Sequence, residues 1–148
     1  MDINFCRPGL SLQAIQRAHE HSVVNHLGIR FTAIGRDFVR ADMPVDERTV
    51  QPYGILHGGS SILLAETLGS VASGLVLHGT SGRAVGIEVG GSHLRAAGSG
   101  RVTGTCRPLK IGRGLHFWTI EIHDGQGRQC CEARLTIKVL QPREGKDS

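Results

Sequence analysis

The sequence predicts an α+β fold in which an antiparallel sheet wraps around one central helix. Residues 58–77 form an almost continuous apolar run that is too long for a strand, which indicates a helix buried on most sides. The segments before and after it alternate apolar and polar residues with a period of two, as strands do. With 148 residues, the chain is expected to form one domain over residues 1–148.

The part of the chain before the central helix is predicted to contain one helix and two strands. Ser11 can cap a helix over about residues 11–26, and Gly28 can end it. Its sparse apolar stripe consists of Leu12, Ile15, Val23 and Leu27. Alternating residues at 29–33 and 39–45 then indicate two strands joined by a short turn, and residues 46–57 are expected to form an irregular loop.

Four further strands are predicted after the central helix. The first is marked by Val85, Ile87 and Val89, and the others are centred on residues 102–106, 118–122 and 131–139. The connections at residues 98–100, 112–114 and 124–127 are typical of hairpins. The tail over residues 142–148 is expected to fray.

Composition and charge exclude several classes of function. The net charge is +4, but the basic residues are scattered and aromatic residues make up 4% of the chain, so no nucleic-acid partner is expected. We expect no membrane span and no signal peptide, and hence a cytoplasmic location. Four cysteines without a CxxC pair, and no group of His, Cys and carboxylates at ligand spacing, predict free thiols and no metal site.

Glu66 is the one carboxylate between Gly58 and Gly82. A charge in an apolar helix is costly unless it is paired, so its presence suggests a function. The alternative is that Glu66 lies on an exposed stripe or pairs with an arginine. Helical spacing places Glu66 on one narrow face with the small residues Gly69, Ser70 and Ser73, as a ligand slot would require.

The segment LHGGSS at residues 56–61 leads into the predicted helix. The first amides of a helix have no intrahelical partner and carry positive partial charge, and glycines leave them unshielded. A carbonyl oxygen that becomes negative can be stabilised there, as in an oxyanion hole. The alternative is a Gly-rich helix start that serves close packing alone.

The spacing between Gly58 and Glu66 limits how these two residues can act together. They are 8 residues apart, about 12 Å along a helix, so one carbonyl group can hardly contact both in the same chain. Two antiparallel copies of the helix would solve this, because each would offer its N-terminus to the other's glutamate. The sequence therefore predicts a homodimer with two sites across its interface.

The chain resembles the hotdog-fold thioesterases, in the branch of the aryl-CoA, 1,4-dihydroxy-2-naphthoyl-CoA and enterobactin-proofreading enzymes. The resemblance is carried by QPYGILHGGSSILLAETLGSVAS at residues 51–73, where LHGG is followed by a glutamate eight residues after its first glycine. Residues 91–113 and 129–140 support it, and it covers nearly the whole chain from about Gly28. It implies a hotdog fold and a dimer with a continuous sheet, usually assembled further into a homotetramer.

The resemblance also implies the activity and the roles of individual residues. It implies hydrolysis of an acyl-CoA thioester, with CoA as part of the substrate and no separate cofactor, although an acyl carrier protein thioester is a second option. Glu66 would be the nucleophile or the general base, and the Gly58 amide would bind the thioester oxygen. Gln51 and His57 would orient the thioester or the water, and Ser70 would hold the same water.

Candidate contacts to the CoA phosphates are less specific, because exposed cations are common. The available residues are His93, Arg95, Arg107, Lys110 and Arg113. His93 and Arg95 are favoured because they lie in the matching segment GSHLRA.

Two alternative functions are compatible with the same fold. A hotdog hydratase or dehydratase would use an acid and a histidine on a carbon–carbon bond, but the LHGG-to-glutamate spacing favours the hydrolase. A non-catalytic acyl-CoA-binding domain would have no need for Glu66. If it were a DNA-binding sensor it would require a helix-turn-helix unit, for which the residues before Gly28 are too few.

Overall fold

The computed structural model describes residues 3–142, so the predicted frayed tail lies almost entirely outside the described residues. The helices are α1 (Leu12–Ala18), α2 (Val23–His26) and α3 (Gly58–Val76). The strands are β1 (Arg30–Ile34), β2 (Val39–Pro44), β3 (Arg83–His93), β4 (Arg101–Ile111), β5 (Leu115–His123) and β6 (Gln129–Leu140). The six strands form one sheet in the order β1-β2-β4-β5-β6-β3. All neighbours are antiparallel, which confirms the predicted α+β arrangement.

The core lies between α3 and one face of the sheet. Every second residue is buried there in β5, in β4 up to Cys106 and in β6 from Cys131, because successive side chains of a strand point to opposite faces. Trp118, Ile120 and Leu135 are among its largest buried side chains, and Leu64 and Leu68 of α3 pack into the same cluster. This packing fixes the position of α3 across the sheet.

The central helix is confirmed, and it ends at Val76 with Leu77 as its C-terminal cap. The predicted burial on most sides holds in part, because eight of its 19 residues are buried in the single chain and three, Gly59, Glu66 and Gly74, are exposed. By length and composition α3 could cross a membrane, contrary to the sequence-based prediction, but about half of it is buried inside the fold as a core helix. Its C-terminal end is tied to the N-terminal segment, since the Arg7 guanidinium donates to the Leu75 carbonyl at 2.8 Å.

The predicted N-terminal helix over residues 11–26 is wrong in extent, because two short helices replace it. Ser11 caps the first as expected, accepting the Ala14 amide at 3.1 Å. The helix ends at Ala18, and the carbonyl of its C-terminal cap, His19, accepts a hydrogen bond from the Ser22 hydroxyl at 2.8 Å. Ser22 then caps α2. Serine side chains that bond to nearby backbone groups compete with helix continuation in this way.

The edge strand β3 contains a β-bulge that breaks the predicted alternation of Val85, Ile87 and Val89. Gly86 pairs with Ile137 and Glu88 pairs with Thr136, so Ile87 is an extra residue in the strand. Val89 therefore packs against the core, whereas Val85 and Ile87 are 41% and 56% exposed. The bulge places two apolar side chains outside the core and leaves a glycine facing α3.

Candidate active site

The N-terminus of α3 leaves one backbone donor without a partner. The Nδ1 atom of His57 accepts the Gly59 amide at 2.8 Å, and its carbonyl accepts the amides of Ser60 and Ser61. Within residues 3–142, nothing accepts a hydrogen bond from the Gly58 amide. Of the four amides that a helix start leaves free, the Gly58 amide alone remains for a ligand.

This helix start opens into a pocket of about 380 Å³. Four of the residues predicted from the sequence, Gln51, Gly58, His93 and Arg95, line it together. The loop that follows Gln51 holds its side chain, because the Gln51 Oε1 atom accepts the Tyr53 amide. With the oxygen engaged in this way, the side-chain NH₂ group of Gln51 is left to donate to a ligand.

His57 has a structural task as well as its predicted one. Because its Nδ1 atom accepts the Gly59 amide, a neutral ring carries its proton on Nε2. The ring is exposed, so this Nε2–H group is available to a ligand beside the helix start. The cap thus fixes both the tautomer and the orientation of His57.

The imidazole of His93 lies directly against Gly58. A Cβ atom added to Gly58 would approach the His93 Nε2 atom to 2.8 Å, which is closer than real contacts allow. Glycine at this position therefore gives the histidine its place at the mouth of the pocket. The sequence placed His93 among phosphate contacts and carried no signal for its contact with Gly58.

Glu66 is exposed in the single chain, so its predicted burial is wrong and the exposed-stripe alternative describes its surroundings. No hydrogen bond or ion pair engages its carboxylate among residues 3–142. The carboxylate lies over β3, where a Cβ atom on Gly86 would come within 2.6 Å of its Oε1 atom. Ser70 is half-buried one helical turn beyond Glu66, as expected. A strand glycine that permits close approach is a signal the sequence analysis left unused.

The predicted polar face of α3 is narrower than expected, because Gly69 and Ser73 are buried. Gly69 packs against Leu135 of β6. The Ser73 hydroxyl accepts the Trp118 Nε1–H group at 2.8 Å and lies 2.9 Å from the His116 Nδ1 atom. Burial lowers the pKa of His116 from its ordinary value. Ser73 thus belongs to a buried polar network and not to a ligand slot.

The predicted CoA contacts separate into two groups. His93 and Arg95 lie in the pocket with Gly58. Arg107 lies on the outer face of the sheet and pairs with Asp37 at 3.1 Å, while Lys110 lies near the end of β4 and Arg113 in the turn that follows. Since β4 begins beside the pocket and runs away from it, these three cations are remote from the Gly58 pocket of their own chain. Their predicted role would need a second chain.

The described chain offers little support for metal-ion chemistry or for a cysteine nucleophile. Among residues 3–142, no group of three or more His, Cys, Asp or Glu side chains has the geometry to hold a metal ion. Cys130 lines the pocket, but burial raises the pKa of its thiol, so it is poorly suited to act as a nucleophile. Of the other cysteines, Cys6 is exposed, and Cys106 and Cys131 are buried free thiols.

The chain is similar to proteins of known class over most of its length. A sequence model of the thioesterase superfamily matches residues 53–131. The chain is 47% identical over 131 residues to the 1,4-dihydroxy-2-naphthoyl-CoA hydrolase of Escherichia coli (strain K12), which covers 88% of this chain and 96% of that enzyme. It is 47% identical over 132 residues to the proofreading thioesterase EntH of Cronobacter turicensis, with 88% and 95% covered. The crystal structure of thioesterase HI1161 from Haemophilus influenzae matches with a TM-score of 0.88 at 41% identity, covering 93% of this chain and 95% of that one.

The fold and these relatives define a thioester hydrolase of the hotdog fold, which confirms the predicted class and the predicted resemblance. The chain belongs to the thioesterase superfamily. The roles of Glu66, Gly58, His57, Gln51 and Ser70 stay predictions, and so do the oligomeric state and the cytoplasmic location.

Proposed function

We propose that the protein is an acyl-CoA thioesterase whose two active sites are each built from two copies of the chain. The free Gly58 amide at the mouth of a pocket carries this proposal. An amide with no intrahelical partner at a helix N-terminus is suited to stabilise the negative charge that develops on a thioester carbonyl oxygen. Gln51 adds a second donor to the same pocket.

The continuity of α3 supports a site that is shared between copies. The helix runs unbroken from Gly58 to Val76, so the Gly58 amide and the Glu66 carboxylate are about 12 Å apart along its axis. At that distance, a thioester group that accepts a hydrogen bond from the Gly58 amide is out of reach of the Glu66 carboxylate of the same chain. A second chain must supply one of the two groups.

The edge strand β3 provides the surface on which a second copy would pair. It ends the sheet with one side unpaired, and α3 lies along it in the opposite direction, with Gly58 at His93 and Glu66 at Gly86. Two β3 strands can pair antiparallel through these unpaired edges. That would join two sheets into one and bring two α3 helices side by side.

We propose a register for this pairing in which opposed side chains lie on the same face of the joined sheet. Opposed residues of paired strands lie on the same face, and Gly86, Val89, Gly91 and His93 all face α3 because their partners in β6 do. Pairing about Gly90 sets Val89 opposite the partner's Gly91. With Ile87 left out as the bulge, Gly86 then lies opposite the partner's His93. In this register the Glu66 carboxylate of one chain faces the Gly58 amide of the other.

The chemistry follows from this arrangement. The Gly58 amide and Gln51 polarise the thioester carbonyl, while Glu66 either removes a proton from water or attacks the carbonyl carbon itself. In the first route the water oxygen bonds to the acyl carbon, the carbon–sulfur bond breaks, and the CoA thiolate takes up a proton. In the second route an anhydride with Glu66 forms as the thiolate leaves, and water then hydrolyses it. Both routes yield a free acid and CoA.

The substrate is proposed from chemistry and from the relatives. The pocket carries Arg95, whose guanidinium suits the phosphates of CoA. Relatives at 47% identity are named for a naphthoyl-CoA substrate and for proofreading, so we propose aryl-CoA esters first and carrier-protein esters second. Assembly of the dimers into a homotetramer is the family's usual state and remains a prediction here.

The test is release of free thiol from benzoyl-CoA by the purified protein and by its Glu66→Gln variant. We expect the wild type to turn over and the variant to lose at least about a hundredfold in rate while keeping its fold, because Glu66 is exposed and bonded to nothing within the described chain. A Glu121→Gln variant, which removes an exposed carboxylate on the outer face of β5, is the control. Binding of benzoyl-CoA without turnover by the wild type would favour a non-catalytic sensor instead.

A further inference from the structure

His93 has no hydrogen-bond partner among residues 3–142, although its ring lies against Gly58 in the lining of the pocket. Neither of its nitrogens forms a hydrogen bond or an ion pair there, and the side chain is exposed. By contrast, the neighbouring His57 uses Nδ1 to cap α3. An imidazole held against a bare helix start, with both nitrogens available, is placed for a task that involves a ligand.

The contact with Gly58 places His93 beside the amide that would bind the reacting thioester. The His93 Nε2 atom occupies the space into which a Gly58 side chain would project, so it lies beside the amide that would bind the thioester oxygen. Both groups face one pocket of about 380 Å³. A ligand oxygen that accepts the Gly58 amide therefore lies close to an imidazole N–H donor.

The proposed pairing of two β3 strands also places His93 at the proposed active site. In that register, His93 of one chain faces Gly86 of the other, over which the Glu66 carboxylate lies. A residue that contacts only the distal phosphates of CoA has no reason to sit between these two half-sites.

We propose that His93 is a further catalytic residue, whose Nε2–H group donates a hydrogen bond to the thioester carbonyl oxygen held by the Gly58 amide. This role rests on the proposed thioesterase function and differs from phosphate binding. A second donor at an oxyanion stabilises the charge that appears only as the carbonyl is attacked. His93 should therefore act on kcat more than on KM.

The test compares two substrates, benzoyl-CoA and the benzoyl thioester of N-acetylcysteamine, which lacks the nucleotide. His93→Ala should lose at least about tenfold in kcat/KM with both, since removal of one oxyanion donor typically costs a hundredfold or more. His93→Gln, which keeps an N–H donor, should recover part of the loss. A loss confined to benzoyl-CoA and expressed in KM would assign His93 to the nucleotide and overturn the proposal. An unchanged rate with both substrates would also overturn it.

A double-mutant cycle with Gly58→Ala supplies a second test. The new methyl group must displace the His93 ring, so Gly58→Ala should cost at least about tenfold in the wild type and less than about twofold in the His93→Ala background. Equal costs in both backgrounds would contradict the proposal. His21→Ala, which removes an exposed histidine that does not line the pocket, is the control for fold and rate. If the wild type hydrolyses neither ester, the proposed function itself fails, and this inference fails with it.

Discussion

The carboxylate of Glu66 lies over the backbone of Gly86, so close that any side chain on the strand would collide with it. A Cβ atom at Gly86 would stand 2.6 Å from the Glu66 Oε1 atom and 3.6 Å from its Cδ atom. The neighbouring strand thus gives the carboxylate room by having no side chain at this point. The position of Glu66 depends on a residue twenty positions away in the sequence that has no chemistry of its own.

Gly86→Ala should therefore lower the rate without unfolding the protein. The backbone of Gly86 does not adopt a positive φ, so alanine fits the strand and the strain falls on the Glu66 side chain. A displacement of this kind typically costs about ten- to a hundredfold in kcat. Steady-state kinetics with benzoyl-CoA measure the loss, and thermal unfolding checks the fold.

A matched control for this substitution is Gly114→Ala. Gly114 lies in the β4–β5 turn with nothing within 4 Å of an added Cβ atom and no positive φ. It should leave kcat unchanged. If Gly86→Ala retained the wild-type rate as Gly114→Ala does, the position of the Glu66 carboxylate would not matter to the reaction.

The shared site predicts activity from two inactive parents. Gly58→Pro removes the amide donor and, like Gly58→Ala, displaces the His93 ring of the same chain. The backbone tolerates it because His57 already has φ −67° and ψ 132°, which a residue before proline prefers. Glu66→Gln removes the carboxylate. In a mixed dimer one site carries both defects and the other carries neither, so up to about half of the wild-type activity should return.

The experiment mixes the two inactive homodimers under conditions that exchange subunits and measures the activity that returns. Mass spectrometry verifies the exchange. Mixing each parent with itself is the control. Exchange without recovery of activity would mean that the two groups serve the same chain, or that one of them is not catalytic.

Stability should rise with pH through the titration of His116. Burial lowers the pKa of His116 in the folded protein below its ordinary value of 6.5. Between these two values the unfolded chain binds more protons, so the free energy of unfolding increases with pH, by at most about 1.4 kcal/mol per pH unit for one group. Acidification from about pH 7.5 to pH 5 should destabilise the protein.

Urea unfolding at several pH values measures this slope. His116→Gln should flatten it, although the variant is also expected to be less stable because it disturbs the bond to Ser73. His21→Gln, which removes an exposed imidazole, should keep the wild-type slope. Equal slopes in all three proteins would show that His116 does not titrate differently in the folded state.

Turnover should not depend on a metal ion. The proposed chemistry uses a carboxylate and backbone and side-chain donors, and the described residues offer no cluster of ligands. Prolonged treatment with a chelator should therefore leave the rate of thiol release unchanged. Loss of activity that a divalent ion restores would contradict the proposed mechanism.

The sequence predicted the elements whose pattern is set by local burial. The apolar run from residue 58 gave the central helix to within one residue, and the strict alternation in β6 gave the last strand. The LHGG segment and Glu66 identified the two ends of the proposed site. These features depend on residues that are close together in the sequence.

The features that could not be predicted depend on packing between distant segments. Whether Ser73 faces a ligand or the core is decided by Trp118 and His116, more than forty residues away. The bulge at Ile87 depends on pairing with β6 and reverses the face expected for Val85. The break at residues 19–22 arises because the Ser22 hydroxyl competes for a helix carbonyl, which spacing alone does not reveal.

The hydrogen bonds that His57 makes at the start of α3 affect which anions can bind there. Inorganic phosphate and sulfate bind helix N-termini by accepting several adjacent amides at once. Here three of the four are already bound, the His57 amide by the Thr49 carbonyl and the Gly59 and Ser60 amides by the ring and carbonyl of His57. A tetrahedral oxyanion would therefore find a single helix amide. A thioester carbonyl oxygen, by contrast, can accept a hydrogen bond from one helix amide. The helix start itself should therefore bind free phosphate and sulfate more weakly than an uncapped helix end does.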